Sequence, residues 1–346
     1  MEIGVGLDRG LGLSWDQYRE LGRHAARLGY ESVWTNAGND RDPMHICAQW
    51  SVASAEVVPG GLGTGISVIP IPYWSVPSLA SCAATVGDIS GGKFVLGVGS
   101  GAIHNPAFRK TLGLPDLGPI GTMREYLVTL RGLLAGESVE HEGKAVTLHG
   151  VSLGFKPPKV PVALGALGPQ MLRLAGEASD GAALNWCDAE RVAAYRQIVA
   201  EGARRAGRDP SEVAIIEYIR ICVDDDEDAA RRAYVKALMG YAMARPGVSK
   251  ELGYRGHFAR MGFDEQLTEL EGRRDRGATE AELVDAFPVD LARQVGYFGP
   301  AAGAAAAFRH LAEGLDTAIV RVVAARPGLE AITAVMEACQ PSRLPT

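Results

Sequence analysis

The sequence has few cysteines, no concentrated positive charge and no long apolar run, and each lack removes a class of protein. Its five cysteines, Cys47, Cys82, Cys187, Cys222 and Cys339, are scattered, and no two stand at the two-residue spacing of a metal knuckle or redox pair. They read as buried free thiols in a reducing compartment, and no metal site is expected. The 35 basic and 41 acidic residues leave a formal net charge of −6 with no dense Lys/Arg run. Nucleic acid and anionic membrane are therefore poor partners, because both call for a concentrated positive field. No apolar run approaches the roughly 20 residues that span a bilayer, and the N-terminus lacks the basic start and apolar core of a signal peptide. The expectation is a soluble, cytoplasmic protein whose partners are small molecules.

Glycine, by contrast, is abundant. There are 43 glycines in 346 residues, well above the usual share of roughly 7%, yet they form no linker or low-complexity tract. A chain of this length buries roughly three quarters of its unfolded surface, so it needs no staple, and the glycines must answer to something else.

Short β-branched or apolar runs alternate with longer amphipathic stretches, the pattern of βα units around a parallel sheet. Eight strands are predicted: Ile3–Leu7, Glu31–Thr35, Leu62–Val68, Phe94–Val98, Val160–Gly165, Gly181–Asn185, Val213–Val223 and Thr317–Val323. After the first comes a helix with Ser14 as its N-cap and Tyr18, Leu21, Ala25 and Leu28 on its apolar side. Eight such units in one domain spanning residues 1–346 specify a (β/α)8 TIM barrel of the α/β class. Two inserts interrupt it on the rim. Residues 138–155 alternate polar and apolar and predict a β-hairpin, and residues 224–287 are long, charged and helix-rich. The second follows the seventh strand, so it would lie at the C-terminal mouth and cover the substrate side of a pocket.

Many glycines fall on neighbouring strand ends: Gly63 and Gly65, then Gly97, Gly99 and Gly101, then Gly165 and Gly168, then Gly176 and Gly181. Glycine weakens a strand unless another group approaches its backbone closely. Tight barrel geometry and helix caps explain single cases, whereas the joint pattern predicts a flat ligand lying against main chain.

Three segments carry a family resemblance: Leu62–Ile66, Leu96–Gly101 after Asp88–Lys93, and Pro161–Ala182, with Gly165-Ala166-Leu167-Gly168-Pro169 as its most specific part. They resemble the bacterial luciferase-like superfamily, in particular the branch containing methylenetetrahydromethanopterin reductase and deazaflavin-dependent dehydrogenases. That resemblance implies a barrel with insertions, usually homodimeric, holding coenzyme F420 or, in other branches, flavin mononucleotide (FMN). It implies a non-prolyl cis peptide backing the cofactor ring, matched here to Gly65–Ile66. It places Ser100 and Gly101 at a phosphate-side turn, and Gly165, Ala166, Leu167, Gly168 and Met171 around the cofactor tail. Elementary physics agrees, since glycine turns and a helix start free backbone N–H groups for phosphate, and Pro169 at the first helical position removes no needed donor.

The chain also departs from the family. Relatives carry an acid followed by His after the second strand, whereas Asn36 stands here, and the carboxylate some place after the fourth-strand turn is Ala102. Candidates for proton handling are His104 after the fourth strand, Glu217 within the seventh, and Asn36 as a non-titrating donor. Glu217 is either buried with a raised pKa or faces the pocket, and its role is either in the pocket or paired and structural. Trp34, Tyr73, Trp74 and Trp186 fall at or after strand ends and would make an aromatic substrate pocket. The leading expectation is an F420-dependent oxidoreductase working as a reductase. An FMNH2-dependent two-component monooxygenase and a non-catalytic cofactor-binding relative are the alternatives.

Overall fold

The computed structural model describes residues 1–38, 40–101, 103, 105–114, 117–246, 248–251 and 253–344. Among the described residues, eleven strands are formed: β1 (Glu2–Gly6), β2 (Ser32–Thr35), β3 (Gly63–Pro70), β4 (Phe94–Gly99), β5 (Val139–Glu142), β6 (Thr147–Val151), β7 (Val162–Gly165), β8 (Gly181–Asn185), β9 (Ala214–Val223), β10 (Gly296–Gly299) and β11 (Thr317–Val323). Eight of them run parallel in the order β11-β1-β2-β3-β4-β7-β8-β9, and β9 pairs with β11 to close the ring. This is the (β/α)8 barrel that the sequence pattern predicts. Strands β5 and β6 form the antiparallel hairpin expected between the fourth and fifth barrel strands.

Local chemistry explains the elements. The helix Trp15–Leu28 opens on a capping box, in which the Ser14 hydroxyl accepts from the Gln17 amide and the Gln17 side chain accepts from the Ser14 amide. Gly29, at φ 85°, closes it in the left-handed conformation that glycine adopts freely. Outward-facing strand residues such as Val5, Val33, Ile66, Leu96, Val162, Leu164, Ile215 and Ile219 pack against the helices in one continuous core. The inward-facing set is separate and small: Trp34, Ala163, Ala183, Ile216, Tyr218 and Ile319.

Two of those inward residues are large, and the glycines accommodate them. A side chain on Gly65 would run into the Trp34 ring. A Cβ on Gly4 would lie 2.9 Å from that ring, and one on Gly6 would lie 2.9 Å from Tyr218. Burying about 150–250 Å² per aromatic ring is worth roughly 4–6 kcal/mol at 25 cal/mol per Å². The barrel thus exchanges side chains on β1 and β3 for two rings on β2 and β9.

Strand β3 is longer than predicted because it continues past an irregularity. Gly65 and Ile66 pair regularly with Val95 and Leu96, and the register then steps before Ile69 meets Val98. The cis peptide bond joins Ser67 to Val68, correcting the expected Gly65–Ile66 position. The break falls after the last regular pair and aims Val68 inward. There its methyls occupy the space that Cβ atoms on Gly99 and Gly165 would need, at 2.7 and 3.3 Å, and the Ile66 carbonyl blocks a Cβ on Gly97.

Strand β10 has no counterpart in the sequence reading. It pairs with the C-terminal half of β9, at Arg220–Val223, where β8 has already diverged. The divergence occurs at Trp186, which has φ 62° and is the non-glycine residue with positive φ among those described. Beyond β9 lie the helices Glu227–Ala242, Gly253–Phe258 and Asp264–Asp275, a π-helical turn at Ala259–Phe263 joining the last two. They build a second core around Tyr234, Leu238, Phe258 and Leu267, and Trp186 is part of it.

Candidate active site at the C-terminal mouth

Side chains alternate along a strand, so the inward positions continue upward to Asp8 after β1, Asn36 after β2, Asn185 on β8, Arg220 on β9 and Arg321 on β11. These five polar residues occupy one half of the mouth. The other half, on β3, β4 and β7, presents Val68 and the glycines 97, 99 and 165.

The polar half is tightly bonded but incomplete. Arg321 forms an ion pair with Asp8 and lies 4.8 Å above the Tyr218 ring centroid, and burial pushes its guanidinium down to about 9. Arg220 donates from Nη1 to Asn185 Oδ1 at 2.6 Å and stacks 3.5 Å from the Trp186 ring centroid. Asn185 in turn donates to the Tyr254 hydroxyl at 2.7 Å, and burial pushes that phenol up to about 12. Asp8 Oδ1, Asn36 Oδ1 and Arg220 Nη2 are buried without a hydrogen-bond partner. Buried polar atoms are ordinarily paired, so three orphans around one mouth make it the candidate ligand site.

The structure places the expected site residues unevenly. Asn36, expected as a non-titrating donor, stands at the mouth, half-buried, and its unpartnered atom is the acceptor Oδ1. His104 lies outside the described residues. Glu217 is one strand position out of phase with Tyr218 and faces the helical layer. There Oε1 accepts from the Cys187 amide at 2.6 Å, and burial pushes the carboxyl up to about 8. Of the two roles expected for it, the structural one fits this geometry, and the pocket-facing one does not.

Gly65 and Ile66 are buried in the barrel wall, below any ligand-facing surface. Ser100 and Gly101 form a turn after β4, with Gly101 at φ 56° and the Ser100 carbonyl accepting from the Ile103 amide. Gly165, Ala166, Leu167, Gly168 and Met171 do come together around the start of the helix Pro169–Ala178. Gly168 is the N-cap, no side chain caps the helix, and open space surrounds Gly168. Pro169 has no N–H, so the Gln170 and Met171 amides are the unbonded donors of the first turn. Arg260, from the π-helical turn, reaches the Leu167 carbonyl at 3.5 Å, and Arg191 donates to the Arg260 carbonyl at 2.8 Å.

The expected aromatic pocket does not form. Trp34 is 2% exposed inside the barrel, with its indole N–H donating to Ser32 Oγ, and Trp186 is fully buried under the insert. Tyr73 is exposed and meets Phe108 edge-on, while Trp74 is half-buried with its carbonyl accepting from Tyr126. Packing demands inside the barrel and beneath the insert claim two of the four rings.

The sequence reading missed Asp8, Asn185, Arg220 and Arg321. The available signal was strand phase: Arg220 and Arg321 break apolar strands at inward positions, whereas Glu217 breaks one at an outward position. A cavity of about 630 Å³ opens at the opposite, N-terminal end among Glu2, Glu31, Gly63 and Lys93. In barrels of this type the chemistry is built at the C-terminal end of the strands.

Comparison with known proteins places this geometry in a family. The chain is 35% identical over 209 residues to the 5,10-methylenetetrahydromethanopterin reductase of Methanolobus tindarius, covering 60% of this chain and 61% of that protein. It is 31% identical over 174 residues to the F420-dependent glucose-6-phosphate dehydrogenase of Rhodococcus erythropolis, covering 49% and 51%. The solved structure of the coenzyme F420-dependent tetrahydromethanopterin reductase of Methanopyrus kandleri superposes with a TM-score of 0.77 at 22% identity, over 98% of this chain and 97% of that one. The matches to the first two span about half to three fifths of those relatives. A family model, described as luciferase-like monooxygenase, matches residues 2–318, and the chain belongs to that luciferase-like family.

Proposed function

We propose that the protein is a coenzyme F420-dependent oxidoreductase that acts as an F420H2-dependent reductase on a small organic substrate. The division of the mouth carries this reading. A flat half, where Val68 covers the glycines of β4 and β7, suits a stacked ring, and a polar half with orphaned atoms suits the substrate that the ring faces. The helix start at Gly168-Pro169, with Arg260 and Arg191 beside it, suits an anionic tail. Relatives named as F420-dependent, the glucose-6-phosphate dehydrogenase and a mycobacterial oxidoreductase, support the same cofactor.

When bound, the deazaflavin supplies a hydride to an electrophilic carbon. This chain's part is then to position and to exclude water. Val68 and the glycine half support one face. Asn36 and Asp8 present acceptor oxygens and Arg220 a donor, while the insert residues Tyr241 and Tyr254 roof the polar half. The reductive direction follows from the lack of a free base among the described mouth residues: Asp8 is held by Arg321, and Glu217 faces away. A substrate that is already electrophilic needs no protein base.

We extend the proposal to a single-domain, cytoplasmic homodimer. The free thiols support the reducing compartment. Exposed Val52, Ile89 and Val128 on the neighbouring helices Pro43–Ser54, Val76–Ile89 and Pro119–Leu134 support a self-association face. Titration with F420, F420H2 and FMN, followed by absorbance and fluorescence, tests the cofactor. Binding of F420 but not FMN is expected. Tight binding of FMN alone, with flavin-dependent oxygen uptake, would replace this reading with a monooxygenase.

A further inference from the structure

Arg220 and Arg321 are directly paired in the parallel ladder between β9 and β11. Directly paired residues in such a ladder point to the same side of the sheet, and here that side is the barrel interior. The two residues are 2% and 7% exposed, so a pair of like charges is buried side by side at the mouth. One carboxylate, that of Asp8, is bonded to the pair, and it is bonded to Arg321. Arg220 has no ion pair among the described residues, and its Nη2 has no hydrogen-bond partner. A buried cation without a counter-ion is costly, and a second cation beside it raises that cost.

Trp186 and Tyr241 stabilise the Arg220 charge through their ring faces, with centroids 3.5 and 5.2 Å from the guanidinium carbon. Neither ring accepts the free N–H. Asp8, Asn185, Tyr241 and Tyr254 around the pair are all half-buried, so the two arginines lie one side chain below solvent and within reach of a ligand entering the mouth.

We propose that the Arg220–Arg321 pair is an oxyanion subsite that anchors a carboxylate or phosphate group of the substrate. The ligand's oxygen takes the free Nη2–H of Arg220 and supplies the missing negative charge, while Asp8 offsets the charge of Arg321 and competes with the ligand for the pair. This deepens the functional reading by naming a substrate class, and it rests on that reading only for the identity of the molecule that carries the anion.

The test uses the cofactor-free full chain, so that it stands apart from cofactor binding. Inorganic phosphate and acetate are titrated separately by calorimetry, at constant ionic strength set with chloride. Saturable binding of at least one is expected in wild type, and the anion that binds tells phosphate from carboxylate. R220Q should weaken it by roughly tenfold or more, R220K should restore part, and D8N should tighten it by roughly threefold, because the internal carboxylate no longer competes for the pair. F420 affinity should stay within about twofold in R220Q. Lack of binding of both anions to wild type, or equal binding to wild type and R220Q, overturns the proposal. Should the arginine variants fail to fold, D8N decides alone: it keeps both arginines, and unchanged or weaker anion binding in it overturns the subsite.

Discussion

Glu217 and His257 hold opposite ends of one peptide group, the one joining Trp186 to Cys187. Glu217 Oε1 accepts from the Cys187 N–H at 2.6 Å, and His257 Nε2 donates to the Trp186 carbonyl at 2.8 Å. A carbonyl has no proton to give, so Nε2 carries the ring proton and Nδ1 accepts from the Tyr195 hydroxyl at 3.0 Å. One grip comes from the barrel and the other from the insert. Together they fix Trp186 at its positive φ, where β8 leaves β9, and set the ring on which Arg220 stacks. Glu217 therefore acts on the site at a distance, as a positioning residue.

The two groups should give stability a two-sided pH dependence. Burial pushes the Glu217 carboxyl from 4.5 up to about 8, so between those values the folded state binds more protons than the unfolded one. Stability then falls as pH rises through that window, by up to about 1.4 kcal/mol per unit. Burial pushes His257 from 6.5 down to about 4, so its contribution is lost as pH falls through that range. E217Q keeps the acceptor for Cys187 and should gain stability over wild type steadily from pH 5 to 8. H257Q should flatten the acid side. Urea unfolding across pH 4.5 to 8.5 measures both, and an E217Q curve parallel to wild type between pH 5 and 8 would refute the buried-acid account.

Trp34 over Gly65 makes a second prediction. A Cβ at position 65 would overlap the ring, and the ring, enclosed by the barrel, cannot move aside. G65A should cost about 1–3 kcal/mol, the usual range for overpacking. W34F, which leaves the ring smaller, should recover much of that loss in the double variant. Additive losses in a double-mutant cycle would count against the contact.

The three glycines under the β3 bulge should differ in a graded way. A Cβ on Gly97 meets the Ile66 carbonyl, which is backbone. One on Gly99 meets Val68 Cγ2 at 2.7 Å, and one on Gly165 meets the Val68 methyls at 3.3 Å. Alanine should therefore cost most at 97, less at 99 and least at 165, spanning roughly 3 kcal/mol down to under about 1 kcal/mol. V68A should rescue G99A and leave G97A unrescued, because it removes one obstacle and not the other. Thermal unfolding of the three glycine variants, of V68A and of its doubles with G97A and G99A tests the order.

Much of the barrel was legible in the sequence because its strands are apolar, β-branched and separated by helical periods, and those signals are local. Strand β10 was not, because Gly296–Gly299 is four residues long and is ordered by its partner β9. The site was legible in part. Asn36 and the Gly165–Met171 turn could be located because they sit at strand ends, where loops begin. The glycines could be read only in part for a physical reason: glycine reports that something approaches the backbone, without reporting what. At positions 65, 97, 99 and 165 the approaching group is Trp34 or the β3 bulge. Arg220 and Arg321 were readable by phase alone, yet their pairing depends on how β9 meets β11, a contact about a hundred residues apart in sequence.

The helix start at Gly168 gives the last prediction. Its Gln170 and Met171 amides have no intrahelical acceptor, and Arg260 leans on the adjacent Leu167 carbonyl from the insert. If the anionic tail of the cofactor seats there, Arg260 contributes mainly through long-range attraction, since its side chain is exposed. R260Q should then weaken F420 affinity by roughly three- to fivefold at low ionic strength, equivalent to about 0.6–1 kcal/mol. The difference should shrink at about 0.5 M salt, where the Debye length falls to roughly 4 Å. R205Q, at the far end of the helix Ala189–Arg205, removes the same charge away from this turn and should leave affinity nearly unchanged. Fluorescence titration of F420 against both variants at two salt concentrations separates the cases. Equal losses would mean that only net charge matters, and a salt-independent loss would mean that Arg260 acts by shaping the turn instead of by its field.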